Sequence, residues 1–472
     1  MRCRTALVLW VLVLVLGLAR PVAAQQTVDV GSISGRILDA SGSAVPGASI
    51  TATHDATNVA TTATSDADGR FRFPYLRIGS YQVTVTLSGF ADATRRLTVS
   101  AASAFELPIT LAVAGVASNV TVTGEAPVIE TARSQIAATV SDEEVAALPM
   151  NGRNFLDVAL LAPGVASANI ASTQLFPETS AVPGITLSVA GQRNLSNNFV
   201  VDGLSANDDA AGLSGMTYGV DAIEQMQVVT SGAQAELGRA LGGYINVVTK
   251  SGTNRLRGTV YDFVRDDSLN GKNALSGTKL PMNQSQFGAS VGGPIAANRT
   301  FFFVNAEKRQ LDQTGLTTIL EPNVAIINAQ LRATGYQGPQ ISTGIYPNPV
   351  DTSNLLLKVD HNAGRDQFSA RYAYYSAAAT NSRGAGALTA TTASTNLDNV
   401  DQAVAISNTL ILSPRTVLET RAQFAHSNLA APPSDLVGPA VIIAGIAAFG
   451  TSSSSPTARR NTMIQVVNNL SL

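Results

Sequence analysis

The second half of the chain alternates apolar and polar residues over short runs. Eight such runs follow Lys250: LRGTVYDFV, QSQFGASVG, RTFFFVNAEK, NLLLKVDH, QFSARYAYY, QAVAISNTLIL, TVLETRAQFAH and NTMIQVVNNLSL. A period of two indicates β-strands, and this alternation suits strands with lipid on one face and a polar lumen on the other. We therefore predict antiparallel β-barrel strands over residues 255–472.

Short and long connections alternate between these predicted strands. GPIAANR, NAGRD and SPR are short, whereas the connections between them are long, as in SAAATNSRGAGALTATTASTNLDN. Outer-membrane barrels have short periplasmic turns and longer external loops, so the alternation distinguishes the two ends of the barrel. The stretch AVIIAGIAAFG, residues 440–450, is apolar without clean alternation, and this register places it in an external loop.

Residues 30–113 show the pattern of a smaller all-β domain. ISGRIL, FRF and YQVTVTL each alternate and are separated by Gly, Pro and Asp turns, which predicts a β-sandwich. Within it, Asp66-Ala67-Asp68-Gly69 invites a calcium interpretation. An EF-hand loop would also need its glycine and its bidentate glutamate at fixed positions, and neither is present. We predict an Asx-type turn there.

The segment between these regions mixes helical and extended patterns. SDEEVAALP begins at an N-cap-like Ser141 and stops at Pro149, and NFLDVALLAPGV is ended by Pro163 and Gly164, so each predicts a short helix. NNFVVDGLS predicts a strand and a turn, and VDAIEQMQVVTSGAQAELG predicts a helix followed by a strand. ALGGYINVVTKSGTN then closes the segment with a glycine pair, a short strand and a turn.

The N-terminus has the pattern of an export signal. A positively charged start precedes the apolar stretch from Ala6 to Leu18, and small residues stand before Gln25. The apolar stretch is shorter than the roughly 20 residues of a spanning helix, although an uncleaved anchor remains an alternative. Cleavage would remove Cys3, the only cysteine, which excludes disulfides and cysteine sites from the mature chain. Net charge is −2 without a basic tract, so nucleic-acid binding is not indicated.

Several ordered motifs resemble a known family. Residues 30–113 resemble the carboxypeptidase regulatory-like domain through Gly35-Arg36-Ile37, Val45-Pro46-Gly47-Ala48 and Gly89-Phe90. NVTVTGEAP resembles a TonB box, LPMNGRNFLDVALLAPGV and NNFVVDGLS resemble plug segments, and the stretch from VDAIEQMQ to TKSGTN resembles a plug's end. The chain is thus similar to TonB-dependent outer-membrane receptors that carry such an extension.

This resemblance implies a mainly β fold with a fixed domain order. We predict a signal peptide at 1–24, the sandwich at 30–113, a tether with the TonB box at 114–127, an α+β plug at 128–254, and the first strands of an antiparallel outer-membrane barrel at 255–472. Family barrels have 22 strands, and an eight-stranded barrel has no room for a plug. We therefore expect the chain to be the front part of a longer receptor and not to close a pore alone.

The resemblance also implies partners and site residues. The TonB protein of the inner membrane would capture the extended box by strand addition, at Asn119, Val120, Thr121, Val122 and Thr123. The alternatives are a last strand of the sandwich or an inert linker. A plug loop on the ligand side would include Asp202, Gly203, Asn207 and Asp208, although Asp-Gly is also a simple turn signal.

The implied location is the outer membrane, with the sandwich and plug on the periplasmic side and lipid around the barrel. The implied function is energy-coupled uptake of a large solute, with an oligosaccharide or a peptide favoured over a siderophore. One alternative is a secreted or surface-displayed all-β carbohydrate-binding or adhesion protein. Another is a secreted hydrolase with an accessory sandwich.

No enzyme chemistry and no cofactor are expected. His54, His361 and His426 are isolated in sequence and do not form a metal-binding set. GASVG around Ser290 matches the G-x-S-x-G nucleophile elbow, but it lies inside a predicted strand and lacks the following helix. A hydrolase would need a coherent catalytic set, and none is visible.

Overall fold

The computed structural model describes residues 29–114, 136–148, 150, 153–167, 187–193, 196–208, 213–232, 238, 240–272, 277–413, 416–452 and 455–471. The predicted signal peptide at 1–24 and the predicted TonB box at Asn119–Thr123 lie outside the described residues. The described part is mainly β, which confirms the predicted fold class.

The N-terminal domain is a two-sheet sandwich of eight strands. They are β1 (Val30–Asp39), β2 (Ser49–His54), β3 (Ala60–Thr64), β4 (Arg70–Arg77), β5 (Gly79–Thr86), β6 (Ala93–Val99), β7 (Ala104–Glu106) and β8 (Ile109–Leu111). One sheet has the order β3-β2-β5-β6, and in the other β1 pairs with β4, β7 and β8. Alternate apolar residues such as Ile33, Ile37 and Phe73 meet in the core between the sheets.

Gly35 explains why this sandwich packs closely at β1. A Cβ atom at that position would lie 2.1 Å from the Leu107 carbonyl oxygen and 2.7 Å from the Phe71 ring. Only a residue without a side chain allows β4 and the segment between β7 and β8 to approach β1 so closely. The predicted turn at Asp66 is confirmed, since its Oδ1 accepts hydrogen bonds from the backbone N–H groups of Asp68 and Arg70.

The middle domain contains nine short strands around one mixed sheet. They are β9 (Ile136–Ser141), β10 (Val165–Ser167), β11 (Leu187–Val189), β12 (Asn198–Val201), β13 (Leu204–Ser205), β14 (Asn207–Asp208), β15 (Leu213–Ser214), β16 (Ile223–Ser231) and β17 (Tyr244–Thr249). The central sheet has the order β13-β12-β17-β16-β9, with β9 at one edge. β17 is the strand predicted after the glycine pair, and all of its side chains are buried.

Local sequence signals account for two of the short helices in this domain. Helix α1 (Asp142–Ala147) begins at Ser141, which forms a capping box with Glu144 as its pattern predicts. The second predicted helix is a 3₁₀ helix over Phe155–Leu161. The predicted helix in VDAIEQMQ is wrong, because only Val220–Ala222 is helical and β16 begins at Ile223. Pairing with β9 and β17 on both sides outweighs the local helical pattern.

The remaining chain forms a long antiparallel sheet. The strands of this region are β18 (Arg257–Asp266), β19 (Met282–Ala296), β20 (Thr300–Thr317), β21 (Gly344–Pro347), β22 (Val350–Ala363), β23 (Asp366–Arg383), β24 (Thr395–Ile411), β25 (Val417–Ala431), β26 (Val441–Ile443), β27 (Ala447–Phe449) and β28 (Thr457–Ser471). Of these, β26 and β27 form a separate two-stranded hairpin outside the long sheet. The eight long strands follow chain order from β18 to β28, with β21 added on β20. Within the part of the chain that the structure describes, β18 and β28 do not pair with each other.

The two faces of this sheet have opposite character. Its outer face exposes large apolar side chains, among them Val260, Phe287, Val291, Leu357, Val359, Val404, Ile406, Phe424, Ile464 and Val466. Its inner face is lined with polar and charged side chains that are buried against the middle domain, including Gln286, Asn305, Glu307, Lys358, Asp360, Arg371, Asp401, Arg421 and Gln423. This is the arrangement of a barrel wall that faces lipid outside and a filled polar lumen inside.

The two ends of the wall differ as the connection lengths predict. Residues 297–299 and 364–365 form turns at the short-turn end, where β24 also ends at Ile411 and β25 begins at Val417. The long-loop end carries helix α2 (Glu321–Ala333) and the β26–β27 hairpin. The apolar stretch at 440–450 is this hairpin, and its Ala447 and Phe449 pack with Ile319, Val324 and Ile327 in a separate small core. That packing explains why the stretch is apolar without alternating. No helix among the described residues has the length and hydropathy needed to cross a membrane.

Candidate functional site

The Asp202-Gly203 turn of the middle domain is placed against the barrel wall. It joins β12 to β13 as a two-residue hairpin, with φ of 49° at Asp202 and 74° at Gly203. Asp-Gly tolerates this left-handed pair better than most sequences do. The structure therefore confirms a turn at Asp202-Gly203, which is one of the two alternatives that the sequence indicates. A Cβ atom on Gly203 would also lie 2.2 Å from Nη1 of Arg421, so glycine is needed for the close approach to β25.

Asp202 is held by a cluster of donors from two domains. Its Oδ1 accepts a hydrogen bond of 2.8 Å from the Thr249 N–H, and its Oδ2 accepts one of 2.7 Å from the Thr249 hydroxyl. Arg371 on β23 donates to the Asp202 carboxylate, and Nζ of Lys358 on β22 lies 3.9 Å away. Nζ of Lys358 also donates to the carbonyl and hydroxyl oxygens of Thr249, at 3.0 Å each.

The electrostatics of this cluster depend on the plug-side carboxylate. Lys358 and Arg371 are paired residues on the adjacent strands β22 and β23, so two cations lie side by side on the inner face of the wall. Burial alone would raise the pKa of Asp202, but the charges of Lys358 and Arg371 and the bonds from Thr249 hold it below its ordinary value. Asp202 is therefore ionised at neutral pH and compensates a pair of cations that would otherwise repel.

A second contact between the middle domain and the wall lies nearer the long-loop end. Asp208, which is buried, forms a two-point ion pair with Arg459 on β28, and one of its two bonds measures 2.6 Å. Asn207 supports the loop, because its Oδ1 accepts from the Phe199 N–H and its Nδ2 donates to Ser205. Bidentate carboxylate–guanidinium pairs fix orientation as well as distance.

Asn207 and Asp208 also line a small cavity of about 50 Å³ between the middle domain and the wall. On the wall side the cavity is lined by Asp401, Gln423 and Met463 among others. Asp401 is buried, and Asn399 donates to its Oδ2 at 2.8 Å. Its Oδ1 has no hydrogen-bond partner among the described residues. Of the four predicted ligand-side residues, the structure thus puts Asn207 and Asp208 at a cavity and Asp202 and Gly203 at the deeper ionic cluster.

A third contact involves Arg153, which the sequence interpretation missed. Arg153 has a φ of 47° and pairs with Asp221 of the middle domain, and its Nε lies 3.6 Å from Glu307 on β20. Its guanidinium carbon lies 4.7 Å from the ring centroids of both Tyr261 and Phe263 on β18. The two ring centroids are 5.4 Å apart, so the cation lies over a pair of neighbouring rings, which is a stable arrangement in a partly dry site. The arginine in the NGRNF motif was the only signal available.

Several other sequence features are placed without a chemical role. Ser290 lies within β19 and hydrogen-bonds to the Thr259 hydroxyl at 2.7 Å, so no strand–turn–helix elbow surrounds it. His54 belongs to the sandwich, whereas His361 and His426 each contact a threonine hydroxyl on a neighbouring barrel strand. Within the described ranges, no group of three or more His, Cys, Asp or Glu side chains is arranged to hold a metal ion.

Comparison with known proteins agrees with this architecture. A family model described as an outer membrane beta barrel domain matches residues 248–356 and 342–471, and a carboxypeptidase regulatory-like domain matches residues 32–112. The TonB-dependent transporter Oar of Myxococcus xanthus is 27% identical over 291 residues. The chain is therefore similar to TonB-dependent receptors, since it carries an outer membrane beta barrel domain and a carboxypeptidase regulatory-like domain and has a TonB-dependent transporter as a relative. The barrel domain places the chain in the outer membrane.

The receptor matches only part of its longer relatives. The alignment with Oar covers 58% of this chain and 26% of Oar, so the chain spans about a quarter of that relative's length. The siderophore receptor PirA from Acinetobacter baumannii is 15% identical, with a TM-score of 0.48, over 72% of this chain and 46% of that one. The transporter YddB from Escherichia coli is 15% identical, with a TM-score of 0.49, over 71% and 44%.

The outer-membrane barrel domain gives the site an orientation. In outer-membrane barrels the short turns face the periplasm, so the short-turn end is periplasmic and the long-loop end is external. The Asp208–Arg459 pair and its cavity therefore lie on the external side of the plug, and the Asp202 cluster lies on the periplasmic side.

Proposed function

We propose that the chain forms the plug and adjoining wall of an importer that takes up a large solute with energy delivered by TonB. The observation that carries the proposal is how the plug is held. At the described contacts, its residues Asp202, Asp208 and Arg153 form ion pairs with side chains of the polar wall. Such pairs can exchange their partners for water, so a plug held by them can be displaced and can return.

The position of β9 supports coupling of the plug to a pull from the periplasm. β9 is the edge strand of the plug sheet and bonds only to β16 within that sheet. It begins at Ile136, and eight residues (128–135) separate it from the end of the predicted tether that contains Asn119–Thr123. A force on that segment would act on the edge strand first, where hydrogen bonds can open one after another instead of all together. TonB would be the partner that pairs with the extended box.

The cavity on the external side of the plug supports a hydroxyl-rich or amide-rich solute. Asp401 offers a buried carboxylate oxygen without a partner, and Asn207 and Gln423 add amide groups. These groups accept and donate hydrogen bonds as sugar hydroxyls and peptide amides require. We therefore favour an oligosaccharide or a peptide as the transported solute. Lipid would contact the apolar outer face around Val404 and Phe424.

The partner and the solute need separate experiments. Val122→Pro removes a backbone N–H from the predicted box and should abolish capture of the receptor by the purified periplasmic domain of TonB. Val116→Pro, in the same tether outside the box, is the control and should be captured normally. Equal capture of both variants would contradict the box at Asn119–Thr123.

For the solute, a panel of linear maltooligosaccharides and tripeptides can be titrated into the detergent-solubilised receptor by calorimetry. Any ligand that binds should lose at least tenfold in affinity on Asp401→Asn and little on Asp351→Asn, whose carboxylate is exposed at the external end of β22. Binding that is insensitive to Asp401→Asn would place the solute elsewhere. The alternative of a secreted adhesion protein has no structural observation in its favour.

A further inference from the structure

The sandwich is docked against the short-turn end of the wall. Arg77, at the end of β4, forms an ion pair of 2.5 Å with Asp360 on β22, and Asp360 is completely buried. Asp29, just before β1, pairs at 2.6 Å with Arg421 on β25, which also contacts Glu419. Each ion pair joins the sandwich to an inner-face residue of the barrel.

The same domain also contacts the plug. On β16, the side-chain oxygen of Gln225 accepts from the Ala101 N–H at 2.6 Å, and the amide of Gln227 donates to the Ala101 carbonyl at 3.0 Å. Gln227 is buried, so this contact is shielded from water. β16 is also the strand that β9 pairs with, so the sandwich and the edge strand hold the same plug element.

A third contact fixes the passage from plug to barrel. The Asn254 N–H donates to the Ala56 carbonyl at 3.0 Å, and its Nδ2 donates to the Thr57 carbonyl at 2.6 Å. His54 shapes the loop that makes these contacts. Its Nδ1 accepts from the Thr57 N–H at 3.3 Å, and its Nε2 lies 3.2 Å from the Ile78 carbonyl.

Between these contacts lies a cavity of about 700 Å³ that is lined by all three domains. The sandwich contributes Arg77 and Tyr81, the plug contributes Asp202 and Thr249, and the wall contributes Lys358 and Ser407, among others. The cavity therefore reaches the ionic cluster that holds the plug turn, and the sandwich forms its periplasmic side. Its volume lies within the roughly 300–1,000 Å³ range of small-molecule sites.

We propose that the sandwich is a gate at the periplasmic exit of the plug, which must undock before a solute can leave the cavity. The proposal rests on the proposed import function and adds a role for the N-terminal domain. A solute that passes the Asp202 cluster enters a space whose periplasmic side is the docked sandwich. Release into the periplasm then requires the contacts at Arg77, Asp29, Gln225 and Asn254 to open.

The chain connectivity provides a means of opening. The last described residue of the sandwich is Ala114, and the predicted TonB box begins at Asn119. A pull on the box therefore acts on the sandwich from one side and on β9 from the other. β8 is an edge strand that pairs with β1, and Asp29 lies just before β1, so the force reaches the docking contacts through this pairing. One pull can thus free both the edge strand of the plug and the gate below it.

The test is the reactivity of a cysteine placed in the cavity. Ser407→Cys lies on the inner face of β24 and lines the cavity, and the natural sequence has only Cys3, in the predicted signal peptide. Ala67→Cys, in an exposed turn of the sandwich, is the control. Both are labelled in intact cells with a small biotin maleimide that passes porins, with and without an uncoupler of the proton-motive force.

If the sandwich is a gate, Ser407→Cys should be labelled slowly in the presence of the uncoupler and at least tenfold faster in its absence. The acceleration should vanish on Val122→Pro, and Ala67→Cys should label equally in every condition. Undocking by Arg77→Met should give fast labelling without energy. Asn254→Ala, which leaves no buried charge unpaired, should do the same and is informative if Arg77→Met fails to fold.

Three results would overturn parts of this reasoning in distinguishable ways. If Ser407→Cys alone is labelled in uncoupled cells as fast as it is in the undocked variants, the sandwich does not close the cavity. Slow labelling regardless of energy, in a receptor that TonB captures, would show that the sandwich is not a gate. Failure of TonB capture itself would refute the proposed function, and the TonB-driven gate with it, whatever the undocked variants show.

Discussion

Replacing Asp202 by asparagine should release the plug from the wall. Asparagine has the shape of aspartate and can keep both Thr249 contacts, with its Oδ1 accepting from the N–H and its Nδ2 donating to the hydroxyl. The change therefore removes the charge and the hydrogen bond from Arg371, because Nδ2 replaces the Oδ2 that accepts it. It leaves Lys358 and Arg371, both almost fully buried, facing each other without a carboxylate.

The free energy that Asp202→Asn removes from plug docking follows from the burial of these two cations. Removing one partner of a buried ion pair typically costs about 3–5 kcal/mol, and the retained Thr249 bonds argue for the lower end. About 3 kcal/mol corresponds to a change on the order of a hundredfold in the ratio of docked to released plug. Arg371→Met should destabilise the docked plug less, because it leaves one cation, Lys358, with one carboxylate, Asp202. The double variant Asp202→Asn with Arg371→Met should recover part of the loss for the same reason.

Hydrogen exchange of the detergent-solubilised receptor provides the assay. The backbone amides of β17, which are buried in the plug sheet, should exchange on the order of a hundredfold faster in Asp202→Asn, while those of β23 and β24 change little. Asp351→Asn, which removes an exposed carboxylate from β22, is the control. If Asp202→Asn exchanges no faster than this control, or if the double variant is worse than either single one, the ionic cluster does not hold the plug.

Three further predictions test other parts of the fold. Phe155→Ala removes a fully buried ring that meets Tyr218 edge-on at 6.0 Å, and should destabilise the plug by about 3–5 kcal/mol, seen as protease sensitivity of the plug with an intact barrel. Burial, with a contribution from the charge of Arg77, lowers the pKa of His54, so the unfolded sandwich binds the extra proton more readily. The contribution of His54 to the free energy of unfolding of the sandwich should therefore be fully present above pH 6.5 and be lost as the pH drops below that value. In His54→Gln the free energy of unfolding should depend less steeply on pH in this range. Val404→Arg, on the lipid face near the middle of β24, should cost about 2–4 kcal/mol in refolding into lipid vesicles, against about 0–1 kcal/mol for Asn408→Arg nearer the periplasmic turn. Equal costs would contradict the assigned membrane depth.

The wall and the sandwich were largely predictable because their signals are local. Strand alternation and the lengths of the connections need only neighbouring residues, and they located all eight long strands and the two ends of the barrel. The capping box at Ser141 is equally local. The helix predicted in VDAIEQMQ fails for the opposite reason, because β16 owes its conformation to distant partners. Its paired residues lie 84 to 95 positions earlier in β9 and 15 to 26 positions later in β17.

The ionic site was predictable only in part. Asp202-Gly203 has a turn signal, and Asn207 and Asp208 follow it closely, so the plug side could be found from the sequence. Its partners on the wall could not be. Lys358, Arg371 and Arg459 occupy the polar positions of ordinary alternating strands, where any lumen residue looks the same. Only the folded arrangement shows which of these cations meets a plug carboxylate.

The opposed cations on β22 and β23 also bear on how the receptor is built. Lys358 and Arg371 must come into register when these strands pair, and at that step their charges oppose pairing. Asp202 belongs to a segment that is synthesised earlier, so the plug is already available to supply the missing charge. We therefore expect the plug to favour the assembly of this stretch of wall, with strands β22 and β23 reaching their full stability only around it.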